Sequence, residues 1–499
     1  MKSEPRFKLP QTGISPQTVL EQMQALRAED SRWREGRTWA LVYYAGEEVY
    51  KLTQEAYNLY FSENGLNPTA FPSLRRMEAE VVSMAADLLG GDDQTIGAMT
   101  SGGTESILMA VYAAREHARA TRPEITRPEM VLPVSVHPAF EKAAHYFDVV
   151  PVHTPLDGDY KADVQKMREA VTPNTILLVA SAPAYPYGIV DSIPEIGALA
   201  LEKNLLLHVD ACVGGFMLPF VKKAGYAVEP FDFSVPGVSS ISADIHKYGY
   251  AAKGASVILY KDPELRKRQF FVYTEWPGGI YGSPAMGGTR PGGAIAAAWA
   301  VMRHLGEDGY VRIAKDVMAT TSKLRAGIEA VEELFIVGDP KMSLLAFGSE
   351  KLDIYAVGDE LALKGWHMDR QQWPASLHLT VNFAHVASAD EFLADLREAV
   401  QKVRGQKMAN FGRKVYKAVA KTALRVLPKS LVTKLAGGKS QGKGRTAAMY
   451  GMMGELPDRG NVHDLVLHFL DQLVARPPEN DPLAEFKSAE PDAPSLRIS

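Results

Sequence analysis

Between Ile96 and Tyr260 the chain alternates short apolar runs with stretches of helical period, and this alternation restricts the fold more than any other feature. The runs IGAMTS, EMVLPVS, TILLVASA, LLLHVDA, VSSISA and ASVILY are strand-length and rich in Val, Ile and Leu. Segments such as ESILMAVYAAREHARA and IPEIGALALEKN, lying between several of them, repeat apolar residues at helical spacing. Strands that are apolar on both faces need cover on both faces. The pattern therefore predicts an α/β fold with a mostly parallel central sheet covered by helices. In such sheets ligands bind at the carboxyl ends of the strands.

The flanking sequence divides the rest. Residues 1–70 are polar and aromatic-rich, with helical stretches in SPQTVLEQMQALRAED and VYKLTQEAYNLYFSE, and read as an amino-terminal arm or lid. An amphipathic helix, SLRRMEAEVVSMAADLLG, follows and is stopped by Gly90-Gly91; it opens a core domain over 71–309. After GGTRPGG two long helices lead into a small α+β carboxyl-terminal domain over 310–475, whose strands include KMSLLAFGS and SLHLTVNF. The proline-rich tail, 476–499, is predicted to be disordered. With 499 residues, 46% of them hydrophobic, the chain can bury one large core and a smaller one.

Charge and cysteine usage exclude several classes. A formal net charge of -4 argues against a chain-wide affinity for nucleic acid. The single cysteine, Cys212, excludes an intrachain disulfide framework and a Cys-rich metal site, and fits the reducing cytoplasm. The start, MKSEPRFKLPQTG, has no signal-peptide core. No run reaches the about 18 apolar residues of a membrane span, since Ile176–Val190 is broken by Pro183 and Pro186. A soluble cytoplasmic protein without a transmembrane segment is expected.

Three constellations carry chemistry. Thr100-Ser-Gly-Gly-Thr-Glu-Ser106 joins a strand to a helix, where free helix-start amides suit a phosphate and Thr104 is placed to cap the helix; an ordinary strand-to-helix turn has the same form. It lacks the GK[ST] ending of a nucleotide P-loop. His208-Val-Asp-Ala-Cys-Val-Gly-Gly215 ends an apolar run with Asp210, a carboxylate that needs a cationic partner or a capping role there. No metal-ligand cluster such as HExxH accompanies it. In SADIHKYGYAAKG, Ser242–Gly254, the lysines 247 and 253 have Asp244 as their only acidic neighbour from Ala243 to Gly254, which suggests a lysine kept for reaction. A solvated surface lysine is the competing reading. Together a phosphate turn, a strand-end aspartate and a lysine are what pyridoxal 5'-phosphate (PLP) requires.

Through SGGTESILMA, HVDACVGGF, SADIHKYGYAAKG, GGTRPGG and AAMYGM the chain resembles fold-type I PLP enzymes of the group II decarboxylase-like set, and among them the sphingosine-1-phosphate lyase family. The resemblance implies that Lys247 bonds the cofactor aldehyde and that Asp210 pairs with the pyridine nitrogen. It also implies that Gly103, Thr104 and His246 hold the phosphate, that His208 belongs to the cofactor site, and that His137 stacks on the ring. A strand-end turn would explain His137 equally. Thr289 matches a position reaching the phosphate from a neighbouring subunit, so a homodimer is implied. Lys253 and Tyr43 match positions that receive the substrate phosphate and assist proton transfer; Lys247, Lys253 and Tyr43 are the candidate bases. The implied reaction is a retro-aldol cleavage of a phosphorylated long-chain base to a long-chain aldehyde and phosphoethanolamine.

The chain departs from the family pattern in two places. Asn67 stands where the family has a histidine near the substrate phosphate, and Trp39-Ala-Leu-Val-Tyr43 replaces a stretch of small residues, which is expected to add bulk at the entrance. Between Gln401 and Tyr450 there are thirteen Lys or Arg and no Asp or Glu. Within this basic segment, 401–446, Lys414, Lys417, Lys421 and Arg425 share a helical face, suited either to an anionic membrane or to solvent. The competing functions are an amino-acid decarboxylase or aldolase on the same scaffold, and a non-catalytic PLP-holding protein that docks on membranes.

Overall fold

The apolar runs form strands as their composition predicts: β1 Ile96–Thr100, β2 Glu129–Pro133, β3 Val150–Thr154, β4 Thr175–Ser181, β5 Leu206–Asp210, β6 Val238–Ala243 and β7 Ser256–Tyr260. The computed structural model describes residues 9–67 and 69–405, with His463, Val466, Leu467, Leu470 and Asp471. Most of the basic segment and the whole tail lie outside the described residues. The seven strands make one sheet in the order β1-β7-β6-β5-β4-β2-β3. β6, β5, β4, β2 and β3 are mutually parallel, whereas β7 runs antiparallel to both β6 and β1. That exception has a local cause. A parallel return needs a crossover of a dozen or more residues, usually helical, and the loop from Asp244 to Ala255 contains no helix.

Helices cover the sheet as its two-sided burial requires. Ahead of it come α1 Pro16–Leu26, α2 Glu47–Leu59 and α3 Pro72–Leu88. Between the strands lie α4 Gly103–Thr121, α5 Ala139–Phe147, α6 Val164–Ala170, α7 Ile193–Lys203 and α8 Leu218–Lys223. A short α9, Pro263–Lys267, precedes the small hairpin of β8 Phe271–Tyr273 and β9 Tyr281–Ser283. The two long helices expected after GGTRPGG form α10, Gly292–Glu329, broken at Gly306 where φ is 55° and ψ is -175°. α10 starts tightly against α2, since a Cβ on Gly293 would stand 2.8 Å from the Tyr57 ring.

A second, antiparallel sheet follows, built of β10 Phe335–Ile336, β11 Leu344–Gly348, β12 Asp369–Gln372 and β13 Ala375–Thr380 in the order β10-β11-β13-β12. α11 Ile354–Leu363 and α12 Ala389–Gly405 pack on each other, and α11 also on β13. β11 and β13 are the two strands legible in the sequence. The amino-terminal segment is built into this sheet. Trp39 N donates to His367 O at 2.9 Å, and Thr380 N donates to Trp39 O at 2.7 Å.

This placement corrects the expected role of Trp39. Its side chain is fully buried, stacked on His385 at 4.1 Å between ring centroids and packed against Trp366 and Phe392. Its bulk fills core volume and stays away from the site entrance. Trp39→Ala is expected to destabilise the chain by about 3–5 kcal/mol in denaturant unfolding followed by circular dichroism. A midpoint equal to that of the parent chain would contradict this packing.

Candidate active site

Five strand ends on one edge of the sheet supply the chemistry. Gly103 and Thr104 follow β1, His137 follows β2, Tyr185 follows β4, Asp210 ends β5, and Asp244, His246 and Lys247 follow β6. Lys247 Nζ lies 2.9 Å from Asp244 Oδ2, and His246 Nε2 lies 3.6 Å from the same oxygen. Asp244 is almost fully buried, so an unpaired charge there would be costly. Burial alone lowers the Lys247 pKa, but Asp244 reverses this and holds the ammonium above the ordinary lysine range. Burial pushes the Asp244 carboxyl up, and Lys247 and then His246 draw it below its ordinary value. His246 is driven down to about 4 by desolvation and is neutral near pH 7.

The loop that presents Lys247 is pinned by the aromatic residues around it. Tyr248 is fully buried, donates to Val381 O at 2.7 Å and accepts from Ser343 Oγ at 2.7 Å, which ties the loop to the second sheet. Tyr310 donates to Gly249 O at 2.9 Å. Lys253 reaches back over the Tyr43 ring, with Nζ 5.3 Å from the centroid, and donates to His246 O at 3.3 Å. Desolvation, with Lys247 adding like-charge repulsion, lowers the Lys253 pKa to about 8. Tyr43 packs edge-on against Tyr248, and burial pushes its phenol up to about 12.

The α4 start departs from expectation in an informative way. Thr104 does not cap the helix. Gly102 is the N-cap, and among the described residues no side chain bonds the first amides, which leaves donors for an anion. Gly103 is required by proximity, because a Cβ there would stand 2.7 Å from Cys212 Sγ and 2.9 Å from Asp244 Oδ2. His246 Nδ1 and Asp244 Oδ1 are buried beside this turn with no hydrogen-bond partner among the described residues. Asp210 Oδ1 accepts from Cys212 N at 3.0 Å and from Ser242 Oγ at 3.4 Å. Free helix-start amides, unpartnered buried polar atoms, a strand-end carboxylate and a half-buried lysine fit PLP.

Other predicted residues are less close to that centre. His208 is fully buried, with Nδ1 2.8 Å from Ser240 Oγ and Nε2 3.2 Å from Ser242 Oγ. It stands behind Asp210, on the same strand face, and does not reach the crevice itself. His137 is an exposed residue and accepts from Ala139 N at 3.1 Å through Nδ1. Thr289 borders, with Thr100, Ser101, Thr104 and Lys142, a cavity of about 550 Å³ on the outer side of the phosphate turn. Asn67 is exposed, and its Oδ1 accepts from Thr69 N at 3.0 Å and Thr69 Oγ1 at 2.7 Å. Among the described residues no contact joins it to Tyr43 or Lys253.

Sequence reasoning passed over Tyr185 and Asp369. The Tyr185 hydroxyl donates to Asp369 Oδ2 at 2.7 Å. Tyr185 was available from the strand-end rule, since it follows the run TILLVASA. Asp369 had no comparable signal, because the polar strand β12 is unmarked in the sequence.

Comparison with known proteins agrees with this geometry. A family model described as the pyridoxal-dependent decarboxylase conserved domain matches residues 8–350. The sphingosine-1-phosphate lyase of Oryza sativa subsp. japonica is 42% identical over 478 residues, covering 94% of this chain and 82% of that protein. The chain belongs to the sphingosine-1-phosphate lyase family. Sphingosine-1-phosphate lyase 1 of Rattus norvegicus is 41% identical, covering 94% of this chain and 77% of its own length. The solved sphingosine-1-phosphate lyase of Burkholderia pseudomallei superposes with a TM-score of 0.78 at 40% identity, over 83% of this chain and 97% of that one. A Lactobacillus brevis glutamate decarboxylase, TM-score 0.71 at 21% identity over 80% of this chain and 96% of that one, shares the fold. PLP is the cofactor of this lyase-family chain. Among the described residues, no helix is long and apolar enough to cross a membrane.

Gly103→Ala is expected to weaken PLP binding at least about tenfold while leaving the circular dichroism spectrum unchanged, because the methyl group would crowd Asp244 and Cys212. Spectrophotometric titration with PLP checks this; unchanged affinity would contradict the close approach.

Proposed function

We propose that this protein cleaves sphingosine 1-phosphate, or a related phosphorylated long-chain base, to a long-chain aldehyde and phosphoethanolamine. The observation that carries the reading is the half-buried Lys247 beside the buried Asp244, facing the uncapped α4 start, in a chain 37–43% identical to sphingosine-1-phosphate lyases. The decarboxylase alternative rests on the family model named for pyridoxal-dependent decarboxylases and on a glutamate decarboxylase at 21% identity, about half the identity to the lyases.

PLP, when bound, supplies an aldehyde that condenses with amines and a ring that takes up an electron pair from the adjoining carbon. In the proposed site Lys247 holds it covalently, Asp210 faces its ring nitrogen, and Gly103, Thr104 and His246 hold its phosphate. His137 lies against the ring face, and His208 braces Asp210 through Ser242. Lys253 and Tyr43 receive the substrate phosphate, with Lys253 as the charge and Tyr43 as the donor beside it. Asn67, lacking charge, contributes at most a hydrogen bond at that end. Cleavage between the amine-bearing and hydroxyl-bearing carbons requires removal of the hydroxyl proton, and the candidate bases are Lys247, Lys253 and Tyr43.

A second copy of the chain completes the site, bringing Thr289 to the phosphate. Support comes from the hairpin just before Thr289, where Phe271, Val272, Trp276 and Ile280 are exposed, Ile280 by 80%. We place the enzyme in the cytoplasm, in peripheral contact with anionic membrane through segment 401–446, which carries many positive charges and no acidic residue. Flotation with phosphatidylserine vesicles checks that contact; equal recovery with neutral vesicles would remove it.

The direct test is incubation of the PLP-loaded protein with sphingosine 1-phosphate, following products by mass spectrometry. Aldehyde and phosphoethanolamine are expected in equal amounts. Carbon dioxide release from amino acids without aldehyde formation would replace this reading with a decarboxylase. Lys253 also predicts a pH limb. Its pKa of about 8 means the ammonium is present below that pH and lost above it. For the phosphorylated substrate kcat/KM is expected to fall as pH rises through about 8, and Lys253→Met should remove that limb together with most of the phosphate recognition.

A further inference from the structure

The crevice wall formed by the second sheet is polar, and its hydrogen bonds run toward the reaction centre. Tyr185, in the turn after β4, donates to Asp369 Oδ2 at 2.7 Å, and its ring packs on His378 with centroids 4.3 Å apart. Asp369 opens β12 opposite His378 on β13. His378 Nε2 is 2.8 Å from Thr380 Oγ1, and Nδ1 is 3.1 Å from Gln371 Nε2. Tyr43 interacts electrostatically with Lys247 and Asp369, and Tyr185 with Tyr43. A polar cluster therefore extends from an edge strand of the second sheet toward the lysine loop.

The direction of the first bond decides what Tyr185 can do. A phenol has one hydrogen to give, and an ionised carboxylate can only accept. With its hydrogen committed to Asp369, the Tyr185 oxygen is left as an acceptor. Tyr185 is only partly buried and follows the carboxyl end of β4, the edge of the sheet from which Asp210 and Lys247 also come. Bond cleavage in the proposed reaction begins at a substrate hydroxyl, a group that needs an acceptor.

We propose that Asp369 is a positioning residue that takes the Tyr185 hydrogen and so presents the phenol oxygen as an acceptor for the substrate hydroxyl, next to Thr380 and Tyr43. This rests on the proposed cleavage of a hydroxylated, phosphorylated amine. Arg370, its neighbour in sequence, pairs with Asp359 at 2.8 Å. The Asp369 carboxylate is held by Tyr185 at 2.7 Å.

The test compares Asp369→Ala, Asp369→Asn, Tyr185→Phe and the double variant Asp369→Ala/Tyr185→Phe, each loaded with PLP. Asp369→Ala is expected to lower kcat about ten- to a hundredfold, the size of one charge-assisted hydrogen bond, with a smaller change in KM. The double variant should be no slower than Tyr185→Phe alone, because Asp369 acts through that phenol. Asp369→Asn keeps an acceptor oxygen and should recover part of the loss. Phosphoethanolamine, which lacks the hydroxyl, should bind every variant with the parent affinity, read from the shift in cofactor absorbance. A parent chain inactive on sphingosine 1-phosphate would overturn the proposed function itself. With an active parent, unchanged kcat in Asp369→Ala, additive losses in the double variant, or weakened phosphoethanolamine binding would each overturn the role of Asp369.

Discussion

The Lys247–Asp244 ion pair is the constraint around which the site is arranged. The buried Asp244 carboxylate would be costly in free energy without a cation facing it, and its 2.9 Å contact with the half-buried Lys247 is made between residues three apart in one loop. The same loop closes on itself, with Lys247 N donating to Asp244 O and His246 N donating to Ala255 O. Closure delivers the chain directly into β7 and reverses its direction in an otherwise parallel sheet. Asp244 also abuts the α4 turn, so the residue there must be Gly103, and the helix start stays open beside the lysine. One pairing thus sets the lysine, the strand reversal and the phosphate turn together.

How legible the molecule is from sequence follows the same physics. The central sheet was legible because strands buried on both faces are nearly continuous in apolar residues, as Ile176–Ala180 is within the buried run TILLVASA. The break in α10 was legible because a glycine interrupts two amphipathic stretches. β12 was not, since DRQQ is polar and half-buried, and an edge strand of that kind carries no period that distinguishes it from a loop. Motif residues whose work is local, Gly103, His246 and Lys247, came together as their spacing implied. Residues whose neighbours come from distant parts of the chain were misjudged. Trp39 was read as entrance bulk although Trp366 and Phe392 surround it, and His208 was read as a cofactor contact although it stands behind Asp210. No local pattern carries such information. Thr104 failed as a cap for the opposite reason, in that an uncapped helix start is what an anion site needs.

The second sheet contributes more than support. Tyr248 is tethered to Val381 and Ser343, so the lysine loop and the edge of that sheet are held as one unit. Tyr185 and Asp369 meet across the same boundary. The wall facing the cofactor edge is therefore supplied by a part of the chain whose own strands carry none of the residues recognised by motif.

The segment from Thr38 to Tyr43 enters between elements contributed by residues 367 and 380. During synthesis Trp39 and Tyr43 emerge from the ribosome long before the backbone that will hold them exists. The core sheet has all its strands once Tyr260 is made, yet the tyrosine beside its lysine must wait for more than a hundred further residues before it has a place to dock. Assembly of the reaction centre is in this sense a late event in the life of the chain, governed by its carboxyl-terminal third.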